Sequence, residues 1–297
     1  MPTMKMLVQQ YKNSSDGSDS MSLKLMYITN QPEVARIAED AGVDRIFVDM
    51  EYIGKQERQG GMDTVQSHHT LEDVKTIANT IQKAELLVRI NPLHQSSAEY
   101  ISSKEEIDQA IENGAQVLML PYFKTVDEVK TFVDLVDGRV KTIPLVETPE
   151  AVACLDEILK LDIDEIFIGL NDLSLGYGRR FMFELLADGT VENLCDKFKK
   201  RGIPYGFGGI AALGTGMLPA EKIIVEHYRL GSGCAILSRS FCNTNKITDI
   251  EKIKEIFAKG LKDIRAYEKE VAVHEEWFEK NIDEVKRGVN AVLEAMA

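Results

Sequence analysis

Cysteine is scarce and follows no pattern. The four in this 297-residue chain (Cys154, Cys195, Cys234, Cys242) form no CxxC pair, so neither a disulfide framework nor a zinc knuckle is indicated. Long apolar runs are absent: none reaches the ~18 residues that a membrane helix needs. No charged-then-apolar leader opens the chain either, so the expectation is a soluble, cytoplasmic protein without membrane contact. Positive charge is short, with 35 Lys and Arg against 48 Asp and Glu and a net charge of −13. A general nucleic-acid binder needs basic surface, and this composition disfavours one. No GxGxxG follows the first strand signal, which lowers the case for an open dinucleotide-binding sheet. What is present is apolar material in quantity. At 44% hydrophobic residues the chain can bury a full core, and disorder is excluded as its main state.

Residues 1–22 are polar and weakly patterned, and read as a tail. From Leu23 a rhythm begins, in which short β-rich runs alternate with helical stretches. The strand signals are 23–28, 45–50, 86–90, 116–121, 142–147, 165–170, 203–208 and 234–239. Most are continuously apolar, as strands covered on both faces are. Helical periodicity falls at 32–41, 71–83, 104–113, 126–136, 149–161, 191–201 and 219–230, several times with a Gly closing the helix. Eight βα alternations predict an α/β fold, a (β/α)8 TIM barrel over residues 23–245. Residues 246–297 carry apolar positions at three- and four-residue spacing and predict one or two extended C-terminal helices. These pack either on their own barrel or, near Trp277–Phe278, on a neighbouring subunit.

Barrel enzymes place their chemistry at the C-terminal strand ends. The polar residues expected there are Asp49 and Glu51, Arg89, Glu147, Asn171 and Asp172, and Arg239. Any one acid alone would suit a helix cap or an ion pair. As a set, without clustered Cys or His, they suit a hard oxygen-ligated cation such as Mg²⁺ or Mn²⁺.

The segments IFVDMEY (46–52), LVRIN (87–91), GAQVLMLPYFKTVDEV (114–129), PLVETPEAV (144–152) and IFIGLNDLSLGYG (166–178) together resemble the HpcH/HpaI aldolase and citrate lyase family. The resemblance implies a barrel that binds Mg²⁺, Mn²⁺ or Co²⁺ and cleaves or forms a carbon–carbon bond beside a 2-keto acid such as pyruvate, through a metal-stabilised enolate, with an aldehyde as the other partner. It assigns Glu147 and Asp172 to the metal and Arg89 to the enolate oxygen. It further implies a homo-oligomer, a trimer or hexamer. The start of the helix after strand six, at Leu170 and Asn171, offers backbone donors for a substrate carboxylate, and Arg239 offers an anion contact at the last strand end.

One departure stands out. Pyruvate aldolases of this family carry a His one residue after the acid of the strand-two motif, and here that position is Tyr52. With an ordinary pKa near ~10, Tyr is a poor base at neutral pH. Proton handling therefore falls to Asp49 with Tyr52, Lys55 or His69 from the long 54–70 loop, in which Thr70 is a candidate helix cap. Two other readings compete: citrate lyase-like, citrate synthase-like or acyl-CoA chemistry on the same barrel, and a barrel that binds a ligand without catalysis.

Overall fold

The computed structural model describes residues 22–55 and 68–296. The expected N-terminal tail lies outside these residues except for Ser22, as does most of the long loop after the second strand. Eight strands run in order: β1 (Lys24–Ile28), β2 (Arg45–Asp49), β3 (Glu85–Arg89), β4 (Val117–Leu120), β5 (Lys141–Val146), β6 (Ile166–Ile168), β7 (Tyr205–Ile210) and β8 (Cys234–Leu237). Each pairs in parallel with the next, and β8 returns to β1 to close the barrel.

Helices wrap the outside: α1 (Pro32–Ala41), α2 (Leu71–Ala78), α3 (Ser103–Glu112), α4 (Val126–Val136), α5 (Pro149–Ala153), α6 (Leu155–Ile158), α7 (Leu170–Gly176), α8 (Glu184–Ala187), α9 (Thr190–Arg201) and α10 (Ala220–Leu230). Capping boxes start three of them, Thr70 with Asp73, Ser102 with Glu105 and Thr125 with Glu128. Each satisfies two amides that the first helical turn leaves open. Three segments differ from the sequence expectation. The helix expected over 149–161 breaks at Cys154, whose backbone (φ −102°, ψ 12°) leaves the helical region. Strand six stops at Ile168, and the apolar run that seemed to continue it turns into α7. Strand seven starts at Tyr205 rather than at 203, because Pro204 has no N–H to give the ladder.

The period of two along each strand sorts the barrel interior into layers. Met26, Phe47, Leu87, Val117, Met119, Ile143, Leu145, Phe167 and Cys234 form the apolar plug inside the barrel. Two residues before the plug, at the strand starts, the same inward parity carries Lys24, Arg45, Glu85, Lys141 and Glu165. Arg45, wholly buried, donates from Nε to Glu85 at 2.7 Å and from Nη1 to Glu165 at 2.7 Å. Lys141 donates to Glu85 at 2.5 Å. Two residues after the plug, at the strand ends, the parity delivers Asp49, Arg89 and Glu147. The barrel floor is thus an ion-pair network, and its ceiling is charged as well.

The tail forms α11 (Ile250–Val271) and α12 (Glu276–Ala295). Ile253, Phe257, Leu261 and Ile264 of α11 and Val285 and Val289 of α12 are buried on their own barrel, and Trp277 and Phe278 also pack against that core. Glu268 of α11 accepts the Leu23 amide at 2.7 Å, and Arg265 donates to the Leu23 carbonyl at 2.7 Å and to Glu268 at 2.8 Å. No helix among the described residues is long and apolar enough to cross a membrane.

Candidate active site

A cavity of about 560 Å³ opens at the C-terminal ends of the strands. One wall is built on β2 and β3. Asp49 and Arg89 are register partners, so their inward side chains lie side by side. Arg89 donates to both Asp49 oxygens, from Nε at 2.8 Å and from Nη2 at 2.8 Å. Lys55 donates to the same carboxylate at 2.9 Å. Glu51 is completely buried and lies 3.4 Å from both Lys55 Nζ and Arg89 Nε. Burial alone would push the Asp49 carboxyl up, but the charges of Arg89 and Lys55 hold it well below the usual carboxylate range. Arg89 spends Nε and Nη2 on Asp49. Its Nη1 has no protein acceptor among the described residues, and Arg89 lines the cavity.

The opposite wall is built on β5 and β6. Glu147, 3% exposed, accepts the Tyr122 amide at 2.8 Å. Tyr122 holds a left-handed backbone (φ 48°), a strained choice for a bulky residue, and that conformation aims its amide at the carboxylate. Gly169 makes the room. A Cβ there would meet Glu147 Oε2 at 2.7 Å and Glu147 Cβ at 2.8 Å. Burial, and then the neighbouring charges of Glu51 and Asp172, push the Glu147 carboxyl well above its usual range. Asp172, in the first turn of α7, is 8% exposed and lines the same cavity.

Among the described residues the buried ceiling holds the carboxylates of Asp49, Glu51, Glu147 and Asp172 and the cations of Lys55 and Arg89. Asp49 and Glu51 lie against Lys55 and Arg89, while Glu147 and Asp172 face the cavity together. Two buried carboxylates on one cavity, the Glu147 charge disfavoured by burial and by its acidic neighbours, are the oxygen donors that a dication suits. No group of three or more His, Cys, Asp or Glu among the described residues is arranged to hold a metal. Two carboxylates completed by substrate oxygens and water are nevertheless an ordinary Mg²⁺ arrangement.

The remaining expected residues fall in two groups. Leu170, Asn171, His69 and Arg239 all line the cavity, with Arg239 at its exposed rim. Tyr52 does not line it. Asn91 Oδ1 accepts the amides of Tyr52 at 2.8 Å and Ile53 at 2.9 Å, which turns this stretch of chain outward. The Tyr52 ring sits 5.2 Å from His68 and 6.4 Å from Tyr100, at the outer edge. His69 instead reaches back to β2, where its Nδ1 accepts the Asp49 amide at 2.9 Å. Lys55, one of the three candidates for proton handling, is pinned on Asp49.

Comparison with known proteins follows the same lines. The family model for HpcH/HpaI aldolase/citrate lyase matches residues 24–183. The crystal structure of an HpcH/HpaI aldolase from Desulfitobacterium hafniense DCB-2 superimposes with a TM-score of 0.57 at 15% identity, over 85% of this chain and 96% of that one. No curated protein matches the chain.

Proposed function

This chain belongs to the HpcH/HpaI aldolase/citrate lyase family, and from that premise we propose that it is a divalent-metal-dependent aldolase acting beside the carbonyl of a 2-keto acid such as pyruvate, with an aldehyde as its other partner. The observation that carries this reading is the pair of buried carboxylates, Glu147 and Asp172, lining one cavity at the strand ends. Those two residues would hold the metal, Mg²⁺, Mn²⁺ or Co²⁺. Bound there, it would supply Lewis-acid polarisation of the keto oxygen, which eases cleavage or formation of the adjacent carbon–carbon bond.

The chain's own groups divide the remaining work. Arg89 is held by Asp49 through two of its nitrogens, so its guanidinium cannot swing, and Nη1 remains to meet charge that develops on the substrate oxygen. A donor fixed in advance stabilises such charge without reorganisation. Lys55 and Glu51 complete the clamp that keeps Asp49, and with it Arg89, in place. The amides at Leu170 and Asn171 open α7, where the first helical turn leaves N–H groups without intrahelical acceptors, and these bind the substrate carboxylate. Arg239 at the rim suits an anionic end on the aldehyde partner.

The test is exchange of pyruvate methyl protons into deuterated water. Wild type should exchange only when Mg²⁺ or Mn²⁺ is added, and Glu147→Ala or Asp172→Ala should abolish that dependence. A wild-type protein without metal-stimulated exchange would sink the aldolase reading.

A further inference from the structure

We propose that His69 serves the reaction as a permanently neutral hydrogen-bond donor, giving its Nε2–H to the oxygen that carries the enolate charge, and that it is not the general base. This rests on the aldolase reading above. At the end of β2, successive backbone amides serve opposite neighbours. The Met50 amide goes to the Arg89 carbonyl on β3 at 2.9 Å. The Asp49 amide goes instead to the Nδ1 of His69 at 2.9 Å. An imidazole nitrogen that accepts a hydrogen bond carries no proton, so in neutral His69 the single ring hydrogen is on Nε2.

That assignment removes both routes by which an imidazole acts as a base. The Nδ1 lone pair is taken by a main-chain donor that cannot turn away, and Nε2 is already protonated. Protonating the ring would place two hydrogens face to face between Nδ1 and the Asp49 amide. The charged surroundings do not reverse this. Burial lowers the pKa of the ring, Asp49 and Asp73 pull it up, and Lys55 and Arg89 push it down again, leaving it below the ordinary histidine value.

The ring is also held in position. Thr70, the next residue, is the N-cap of α2, its amide donating to Asp73 at 2.7 Å and its hydroxyl accepting from the Asp73 amide at 3.2 Å. His69 lines the cavity, and Nε2 has no protein acceptor among the described residues. It is thus a second fixed donor on the wall that carries Arg89.

Two measurements test this, one independent of activity. Long-range ¹⁵N–¹H spectra of the histidine rings should show His69 as the Nε2–H tautomer, without titration between pH 6 and 8. An Nδ1–H tautomer or an imidazolium signal in that range overturns the proposal, whatever the enzyme does. The second uses His69→Gln, whose side-chain amide keeps a donor near the Nε2 position, and His69→Ala, which removes it. Loss of one such donor typically costs about 100-fold or more. His69→Ala should therefore lose about 100-fold in both pyruvate exchange and decarboxylation of oxaloacetate, while His69→Gln stays within about tenfold of wild type. Oxaloacetate separates the roles, since losing CO₂ forms the same enolate with no proton removed from carbon. If His69→Ala spares decarboxylation and loses only exchange, or if His69→Gln is as impaired as His69→Ala, the donor role is refuted while the aldolase reading stands. If wild type itself shows no metal-stimulated exchange, it is the aldolase reading that fails, and the tautomer still decides the state of His69.

Discussion

Gly169→Ala isolates the placement of Glu147 from its chemistry. The glycine has an ordinary φ of −83°, so alanine meets no backbone penalty, and the whole effect is one of space. The added methyl would lie 2.7 Å from Glu147 Oε2 and 2.8 Å from its Cβ, where ordinary contact begins at 3.4 Å. The Glu147 side chain must therefore give way by about 0.7 Å. A buried overpacking of this kind costs about 1–3 kcal/mol of stability, and a displacement approaching 1 Å in a reacting group can cost up to about 100-fold in rate. We expect Gly169→Ala to remain folded, with Mn²⁺ affinity measured by calorimetry and pyruvate exchange both reduced by at least about tenfold. Gly233→Ala is the control, since its nearest atom would be the Tyr205 carbonyl oxygen at 3.8 Å; it should leave both quantities unchanged. If Gly169→Ala binds Mn²⁺ as tightly as wild type and exchanges pyruvate at the same rate, the link between Gly169, Glu147 and the metal is wrong.

Glu147→Gln should separate stability from activity. Because burial and the nearby acids raise the folded pKa of Glu147, its charged form costs stability above the ordinary carboxylate pKa. Removing the charge should leave the melting temperature in chelator equal to or above that of wild type, while the stabilisation given by added Mn²⁺ disappears. At the barrel floor, Lys141 and Arg45 overcome the effect of burial and lower Glu85 to about 2 from 4.5. The stability this contributes is present above about pH 4.5 and is lost as pH falls toward 2. The urea midpoints of wild type and Glu85→Gln should therefore differ at pH 7 and lie closer together at pH 3. Glu268→Ala leaves the buried Leu23 amide without its acceptor and Arg265 with Asp44 alone of its two carboxylates, which should cost about 2 kcal/mol and lower the melting temperature by roughly 4 °C or more. An unchanged melting curve would show that the tail helix is not what anchors β1.

Much of the barrel can be read from the chain because its strands are buried on both faces and so appear as apolar runs. The inward parity of Phe47 and Leu87 even carries Asp49 and Arg89 to the same wall two residues later. Reading fails where local chemistry competes. Leu170 and Leu173 extend the apolar run of strand six, so α7 is hidden inside a strand signal. Cys154 breaks a helix with no Gly or Pro to announce it. The positions of Tyr52 and His69 are illegible for another reason. Which one faces the cavity is decided by Asn91, almost forty residues from Tyr52, and by an amide at Asp49 twenty residues before His69. Neither contact follows any helical or strand period.

The clasp between Leu23 and α11 also bears on synthesis. A ribosome delivers β1 before every other strand, yet the carboxylate and guanidinium that receive the Leu23 amide and carbonyl belong to Glu268 and Arg265. The β8 partner of β1 likewise comes only at Cys234–Leu237. Throughout most of translation β1 therefore lacks both its β8 partner and its α11 clasp. Sealing waits until some 245 further residues have followed Leu23 out of the exit tunnel. Chaperone dependence during expression, and arrest of compaction in chains stalled before α11, are the cellular traits to look for.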